Sequence, residues 1–123
     1  MLSLSATTRY LLYSRPTDIR KSFDSLSGII RNELGRDPLT GEVFVFVSKR
    51  RTHIKLLQWE GDGYGLYYKR LEKGTYELPP AAGSGAEALC LTAAQLQLIL
   101  GGISLRNIKY RPRYQHKALA ECV

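Results

Sequence analysis

The chain has 123 residues, of which 44% are hydrophobic and 24% are charged. These proportions are ordinary for a globular protein, so they exclude a wholly disordered chain, and the length favours one domain rather than two. Lys and Arg number 18 against 11 Asp and Glu, and the net charge of +7 favours a polyanionic partner. No apolar run approaches the roughly 18 residues of a membrane span, which predicts a soluble, cytoplasmic protein with no membrane partner.

Two elements are predicted in the first third of the chain. Residues 8–13, TRYLLY, form an aromatic and aliphatic run that is typical of a strand, and Pro16 ends it. A helix is predicted next, with Thr17 as its N-cap and Gly35 just past its end. Its apolar residues recur at steps of three or four, which is the spacing of one helical face: Ile19, Phe23, Leu26, Ile30 and Leu34.

The middle of the chain is predicted to be an antiparallel meander. Four runs have the composition of strands, and polar or glycine-rich turns at 48–52 and 61–63 join the first three. These runs are residues 43–47, 53–59, 64–71 and 75–78. Residues 81–86 form a spacer of small residues, and a short second helix is predicted at residues 93–100, with Thr92 as its N-cap.

The predicted fold class is therefore α+β: an antiparallel β meander with a long amphipathic helix packed on one face and a short C-terminal helix. Residues 1–105 are expected to form this single domain, and residues 106–123 a basic, flexible tail. Arg111 and Arg113 lie in the tail between tyrosines, which is typical of a basic arm that orders on nucleic acid. A frayed terminus is the alternative.

Residues that could carry catalysis are sparse. Asp18 and Asp24 lie on the predicted helix at a spacing that puts them on different faces, and no other carboxylates cluster to hold a divalent metal. The two cysteines and two histidines lie far apart, so no zinc ligand set can be read from them. No glycine-rich phosphate-binding motif occurs. We expect no enzymatic activity, catalytic residue, metal or cofactor; a metal-dependent nuclease is the weakest alternative.

Basic residues, by contrast, are concentrated in the predicted meander. Residues 49–73 carry seven basic side chains against three acidic ones. Basic side chains contact phosphates, and the interleaved Trp59, Tyr64, Tyr67 and Tyr68 suit stacking on exposed bases. The alternative is a solvated charged face over half-buried tyrosines. The candidate DNA-binding residues of the domain are Arg20, Lys21, Lys49, Arg50, Arg51, Lys55, Lys69, Arg70 and Lys73.

Several segments, in order, resemble a known family. Residues 16–24, PTDIRKSFD, are similar to its opening motif, and Gly41 followed by residues 43–46 is similar to its second. IKLLQW at 54–59, Asp62-Gly63, YKRLEKG at 68–74 and the helix at 91–102 follow. The family is the small TnpB-type accessory protein encoded by the second open reading frame of the IS-sixty-six family of insertion sequences. The resemblance covers about residues 9–105.

The resemblance implies a role in DNA transposition beside a separate, larger transposase that carries the chemistry. It implies no catalytic residue, and the further motif positions it marks are Asp18, Asp24, Trp59, Asp62 and Glu72. Two functions stay open: a non-catalytic accessory protein that binds DNA through the basic meander surface, or an adaptor that docks the transposase by its sheet face or by residues 93–100. A structural role is also open, in which Asp18 and Asp24 pair with Lys69 or Arg70.

Overall fold

The computed structural model describes residues 4–80 and 85–102. Within them, five strands, two α-helices and one short 3₁₀ turn follow one another along the chain. They are β1 (Tyr10–Tyr13), α1 (Phe23–Asn32), the 3₁₀ turn (Pro38–Thr40), β2 (Val43–Val47), β3 (His53–Trp59), β4 (Tyr64–Arg70), β5 (Ala88–Leu91) and α2 (Ala93–Leu100). Most of the spacer predicted at 81–86 and all of the tail at 106–123 lie outside the described residues.

The five strands form one mixed sheet in the order β4-β3-β2-β1-β5. β1 runs parallel to β2, and the other pairings are antiparallel. The prediction of an antiparallel meander is therefore wrong for the sheet as a whole, since it holds only for the three successive strands β2, β3 and β4. β1 is buried along its whole length because it lies between two strands and under both helices.

Side chains alternate between the two faces of the sheet, and each face carries one helix. On one face, Leu26 and Ile30 of α1 pack on Leu11, Phe44 and Leu57, among others. On the other face, Leu96 and Ile99 of α2 pack in a second buried cluster that includes Leu12, Val45 and Leu56. The helix on one face was predicted, and the second helix completes a three-layer arrangement of helix, sheet and helix.

The first helix is shorter than predicted. It begins at Phe23 and ends at Asn32, with Ser22 in the N-cap position, so it is not a long amphipathic helix. Ile19 and Phe23 fit the apolar spacing of the predicted helix, yet they are 39% and 43% exposed. Residues 17–21 instead lie along the sheet, where the Thr17 N–H donates to the Val47 carbonyl at 2.9 Å. Because this tertiary hydrogen bond ties Thr17 to the sheet, Thr17 does not act as the N-cap that the sequence favours.

Two further differences concern the strands predicted and observed after β4. Residues 75–78 form no strand; Tyr76 is instead 1% exposed and anchors the segment on the α2 face. β5 was not predicted, because its four residues pair with β1 from the far end of the chain and carry no local signal. The second helix is confirmed: Thr92 and Gln95 form a capping box, and the helix ends at Leu100 before Gly101.

Candidate nucleic-acid interface

Two cationic segments meet at one end of the sheet. His53 pairs with Arg70 across β3 and β4, so the β2–β3 turn lies beside the end of β4. The Leu71 N–H donates to the Thr52 carbonyl at 2.8 Å, and the Tyr76 N–H donates to the Arg51 carbonyl at 2.7 Å. These backbone contacts bring Lys49, Arg50 and Arg51 next to Arg70 and Lys73.

The loop at residues 17–21 borders the same end of the sheet. Thr17, Asp18 and Ile19 line an open cleft of about 430 Å³, whose other wall includes residues 48–50 and 52–53. The loop also carries Arg20, whose side chain is 88% exposed, and Lys21. We call this surface the cationic end of the sheet; its residues are Arg20, Lys21, Lys49, Arg50, Arg51, Arg70 and Lys73.

The β2–β3 turn is held by its own hydrogen bonds. The Ser48 hydroxyl accepts from the backbone N–H groups of Thr52 and His53, both at 3.2 Å, and the Ser48 carbonyl accepts from the Arg51 N–H at 2.9 Å. Arg51 has φ +59°, a left-handed conformation that costs a residue with a Cβ about 1 to 2 kcal/mol. The turn therefore presents its three cations from a fixed backbone.

Lys55 is buried rather than exposed. Its side chain points to the α1 face, and the residue is 7% exposed. The ammonium donates to the Ile19 carbonyl at 2.6 Å and to the Lys21 carbonyl at 2.5 Å, and it lies 4.5 Å from the centre of the Tyr68 ring. Burial lowers the pKa of Lys55, and the nearby Asp18 carboxylate opposes that shift. The expectation that Lys55 meets phosphates is therefore corrected: it fastens the 17–21 loop to the sheet.

Two of the predicted acidic motif residues pair with neighbours in sequence. Asp18 accepts from the Arg20 backbone N–H at 2.9 Å and from the Arg20 guanidinium at 2.7 Å, and these bonds hold the pKa of Asp18 well below its usual range. Glu72 accepts from the Arg70 guanidinium at 2.6 Å. Asp18 does not pair with Lys69 or Arg70, because Asp18 is paired with Arg20 and Arg70 is paired with Glu72. Asp24 lies exposed in the first turn of α1.

The other cations of this surface are not neutralised. Within residues 4–80 and 85–102, the ion pairs of the cationic end are those of Arg20 with Asp18 and of Arg70 with Glu72. Lys49, Arg50, Arg51 and Lys73 are exposed and form no such pair there. Lys69 is also exposed, but it pairs with Ile54 and so points to the α2 face, away from Arg70. The fixed turn thus leaves several charges open to a polyanion.

The aromatic residues do not all interleave with these cations. Tyr68 does, since its ring stacks on His53 at 5.8 Å between ring centres and lies over Lys55. Trp59 and Tyr64 form an edge-to-face pair at the opposite end of the sheet, next to the turn that carries Asp62. Tyr67 packs on the α2 face. Of the four aromatic residues expected at the basic surface, one lies there.

Ser48 and His53 contribute to this end of the sheet, and the sequence did not single them out. The strand register puts His53, the first residue of β3, opposite Arg70, the last residue of β4, and Ser48 binds the backbone of the turn that precedes His53. The predicted tail residues Arg111 and Arg113 lie outside the described residues. Within the described ranges, no group of three or more His, Cys, Asp or Glu could hold a metal ion, and no helix is long and apolar enough to cross a membrane.

Two of the three segments that build the cationic end, residues 16–24 and 68–74, carry family motifs, and comparison with known proteins identifies that family. The family model described as IS66 Orf2-like protein matches residues 8–110. The chain belongs to the IS66 Orf2-like family. This confirms the resemblance seen in the sequence and supports an accessory role associated with transposition. In this IS66 Orf2-like protein the opening motif at 16–24 and the YKRLEKG motif at 68–74 meet around Lys55.

Two curated relatives come from Sinorhizobium fredii. The uncharacterized protein y4jC is 29% identical over 112 residues, which are 91% of this chain and 93% of the relative. The uncharacterized protein y4hO is 33% identical over 107 residues, which are 87% of this chain and 90% of the relative. No solved structure is significantly similar to the IS66 Orf2-like chain. The relatives therefore extend over the same length but bring no described activity with them.

Proposed function

We propose that this IS66 Orf2-like protein is a non-catalytic transposition accessory protein that binds DNA through the cationic end of the sheet. One observation carries the proposal: backbone hydrogen bonds and strand register collect basic residues from the 17–21 loop, the β2–β3 turn and the end of β4. Charges gathered from separate segments onto one surface suit a backbone of phosphates better than scattered solubilising charges do.

The form of the surface also supports phosphate binding. The turn cations are exposed and lack acidic partners among the described residues, so a phosphate would not have to displace a carboxylate from them. Arg20 and Arg70 keep exposed side chains even in their ion pairs, at 88% and 64%. Exposed ion pairs of this kind contribute little to stability, so either arginine can exchange its carboxylate for a phosphate.

Salt dependence tests this binding mode. If six cations met phosphates of duplex DNA, log K would fall with log salt at a slope of about −5. Replacing Lys49 and Arg50 with Gln is expected to weaken binding and to reduce the magnitude of the slope by about 1.8, because two contacts are lost. The measurement is a titration of labelled DNA from the element ends at several salt concentrations.

The matched control removes two cations elsewhere. Arg9 precedes β1 at the opposite end of the sheet, and Arg31 lies in the last turn of α1; both are exposed. The double variant Arg9→Gln/Arg31→Gln changes the net charge by the same amount and is expected to keep the slope of the wild type. Equal losses in both double variants would mean that net charge alone attracts DNA, and the cationic end would be rejected.

A second candidate function is that of an adaptor for the element's transposase. α2 is a poor docking element, because its apolar residues Leu96 and Ile99 are buried in the core and are not accessible to a partner. The exposed Ile19 and Phe23, at 39% and 43%, favour the adaptor instead, because they offer apolar contact area in the 17–21 loop and at the start of α1. We expect a complex with the transposase that survives nuclease treatment and weakens in Phe23→Ser. Loss of the complex on nuclease treatment counts against the adaptor.

A further inference from the structure

We infer that the cationic end takes unpaired DNA and that Tyr68 is the platform on which a base stacks; this inference rests on the DNA binding proposed above. Among the tyrosines of the described residues, Tyr68 alone is more than a third exposed, at 48%. It is also the aromatic residue that the register puts next to the cationic residues. An exposed ring beside phosphate-binding cations is the arrangement with which proteins hold single strands.

The Tyr68 ring is fixed before any ligand arrives. The Lys55 ammonium lies 4.5 Å from its centre, and the His53 ring stacks beside it with an interplanar angle of 27°. His53 is itself tied by its Nδ1 to the Thr52 hydroxyl at 2.8 Å. Because the ring is already held by its neighbours, a base that stacks on its exposed part orders little additional side chain.

The cations lie where a single strand would need them. Lys55 holds the carbonyl groups of Ile19 and Lys21, so the loop that bears Arg20 borders the Tyr68 ring. Arg70 follows two residues later on the same face of β4, opposite His53. A nucleotide stacked on Tyr68 therefore has basic side chains towards both of its flanking phosphates.

A duplex cannot use the same platform. The faces of paired bases are covered by their neighbours in the stack, so the Tyr68 ring meets a base only where the strands have separated. Duplex DNA would be held by the cations alone. Stacking on one aromatic ring changes affinity by about 5- to 150-fold per base, so we expect a loss specific to single strands of about tenfold when the ring is removed.

The experiment compares a single-stranded oligonucleotide with the matched duplex, each titrated against the full chain and its variants. Tyr68→Leu is expected to bind the single strand about tenfold more weakly and the duplex with unchanged affinity. Tyr68→Phe keeps the ring and is expected to bind both as the wild type does. Thermal unfolding of each variant checks the fold, since Tyr68→Leu also removes the ring contact with Lys55. A 2-aminopurine base in the single strand supplies a direct readout, because stacking on the ring quenches its fluorescence in the wild type and in Tyr68→Phe.

The outcomes separate this inference from the function on which it rests. If single strand and duplex lose affinity equally in Tyr68→Leu, or if 2-aminopurine is not quenched, the platform is rejected while DNA binding through the cations stands. If neither DNA binds the wild-type chain, both proposals fall. Loss of single-strand binding in Tyr68→Leu, with duplex binding unchanged and with both retained in Tyr68→Phe, supports the platform even if Tyr68→Leu lowers the melting temperature.

Discussion

The Lys55 ammonium lies 4.5 Å from the centre of the Tyr68 ring and is bound to the carbonyl oxygens of Ile19 and Lys21. One buried cation thus links the opening motif to the YKRLEKG motif. An ammonium can be buried at acceptable cost when its donors are satisfied, and two carbonyl groups and an aromatic face do this here. Lys55 is a positioning residue for the loop, whereas the exposed cations around it are the candidates for contact with a ligand.

Lys55→Met is expected to lower the free energy of unfolding by about 1 to 3 kcal/mol. The substitution keeps the apolar stem but leaves two carbonyl groups without their donor. Lys69→Met on the neighbouring strand is the matched control, because Lys69 is exposed and is expected to change stability by no more than about 0.5 kcal/mol. Urea denaturation measures both, and equal effects would contradict the role given to Lys55.

Replacement of Asp18 by Asn is expected to strengthen DNA binding by about two- to fivefold. Asn keeps an oxygen that accepts from the Arg20 backbone N–H, so the turn survives while the guanidinium is released from its exposed ion pair. Asp37→Asn is the control, since Asp37 accepts in the same way from the Leu39 N–H but lies away from the cationic end. Titration at low salt compares the two, and a gain shared by both variants would show only a net-charge effect.

Arg51→Gly is expected to leave the free energy of unfolding within about 1 kcal/mol of the wild type. Gly relieves the left-handed conformation at φ +59° but adds freedom to the unfolded chain, and the two effects oppose each other. The same variant is expected to reduce the magnitude of the salt slope of DNA binding by about 0.9. Arg51→Val is the contrasting variant and is expected to be less stable than the wild type, because a β-branched residue tolerates a positive φ less well than Arg does. Equal stability of both variants would contradict the strained turn.

The protein is expected to lose stability as the pH rises from about 10 to 12. Burial raises the pKa of Tyr76 to about 12, and burial together with the bond to Glu33 raises the pKa of Tyr13 to about 12. The folded state then holds these protons when the unfolded state has released them, so the free energy of unfolding falls through this window. Each tyrosine contributes about 2 to 3 kcal/mol to that loss.

Phenylalanine substitutions separate the two tyrosines. The Tyr76 hydroxyl is buried and has no hydrogen-bond partner among the described residues, so Tyr76→Phe is expected to be neutral or to stabilise by about 1 kcal/mol at pH 7. The Tyr13 hydroxyl donates to the Glu33 carboxylate, so Tyr13→Phe is expected to destabilise by about 1 kcal/mol. Both variants should lose less stability at alkaline pH, and a loss as steep as that of the wild type would contradict the assignment.

The sequence predicted those elements whose signals are local. Strands β1, β2, β3 and β4 were predicted from apolar runs and the turns or proline that end them, and α2 from its capping residue. The start of the predicted first helix, residues 18–22, was wrong because Ile19 continues the helical spacing of the apolar residues, yet Lys55 and Val47 bind the backbone of residues 17–21 to the sheet. A tertiary contact therefore overrides the local pattern there.

The residues of the candidate site could likewise be predicted only where their signal is local. The cations of the β2–β3 turn and of β4 were found from the sequence because charge runs are visible along the chain. The burial of Lys55 could not be predicted, since a lysine between Ile54 and Leu56 in a half-exposed strand usually points to water. The groups that accept hydrogen bonds from Lys55 are backbone carbonyls, and because every residue has one, the sequence does not reveal which of them bind Lys55.

β5 pairs with β1, so the sheet joins residues from both ends of the described chain. During synthesis, the segments that form the cationic end emerge before residues 88–91 do. A nascent chain that has emerged as far as residue 80 therefore contains all residues of the cationic end, whereas β1 still lacks the strand that pairs with its open side. Truncation after residue 80 would leave that unpaired edge permanently, and we expect such a chain to aggregate rather than to persist as a smaller DNA-binding unit.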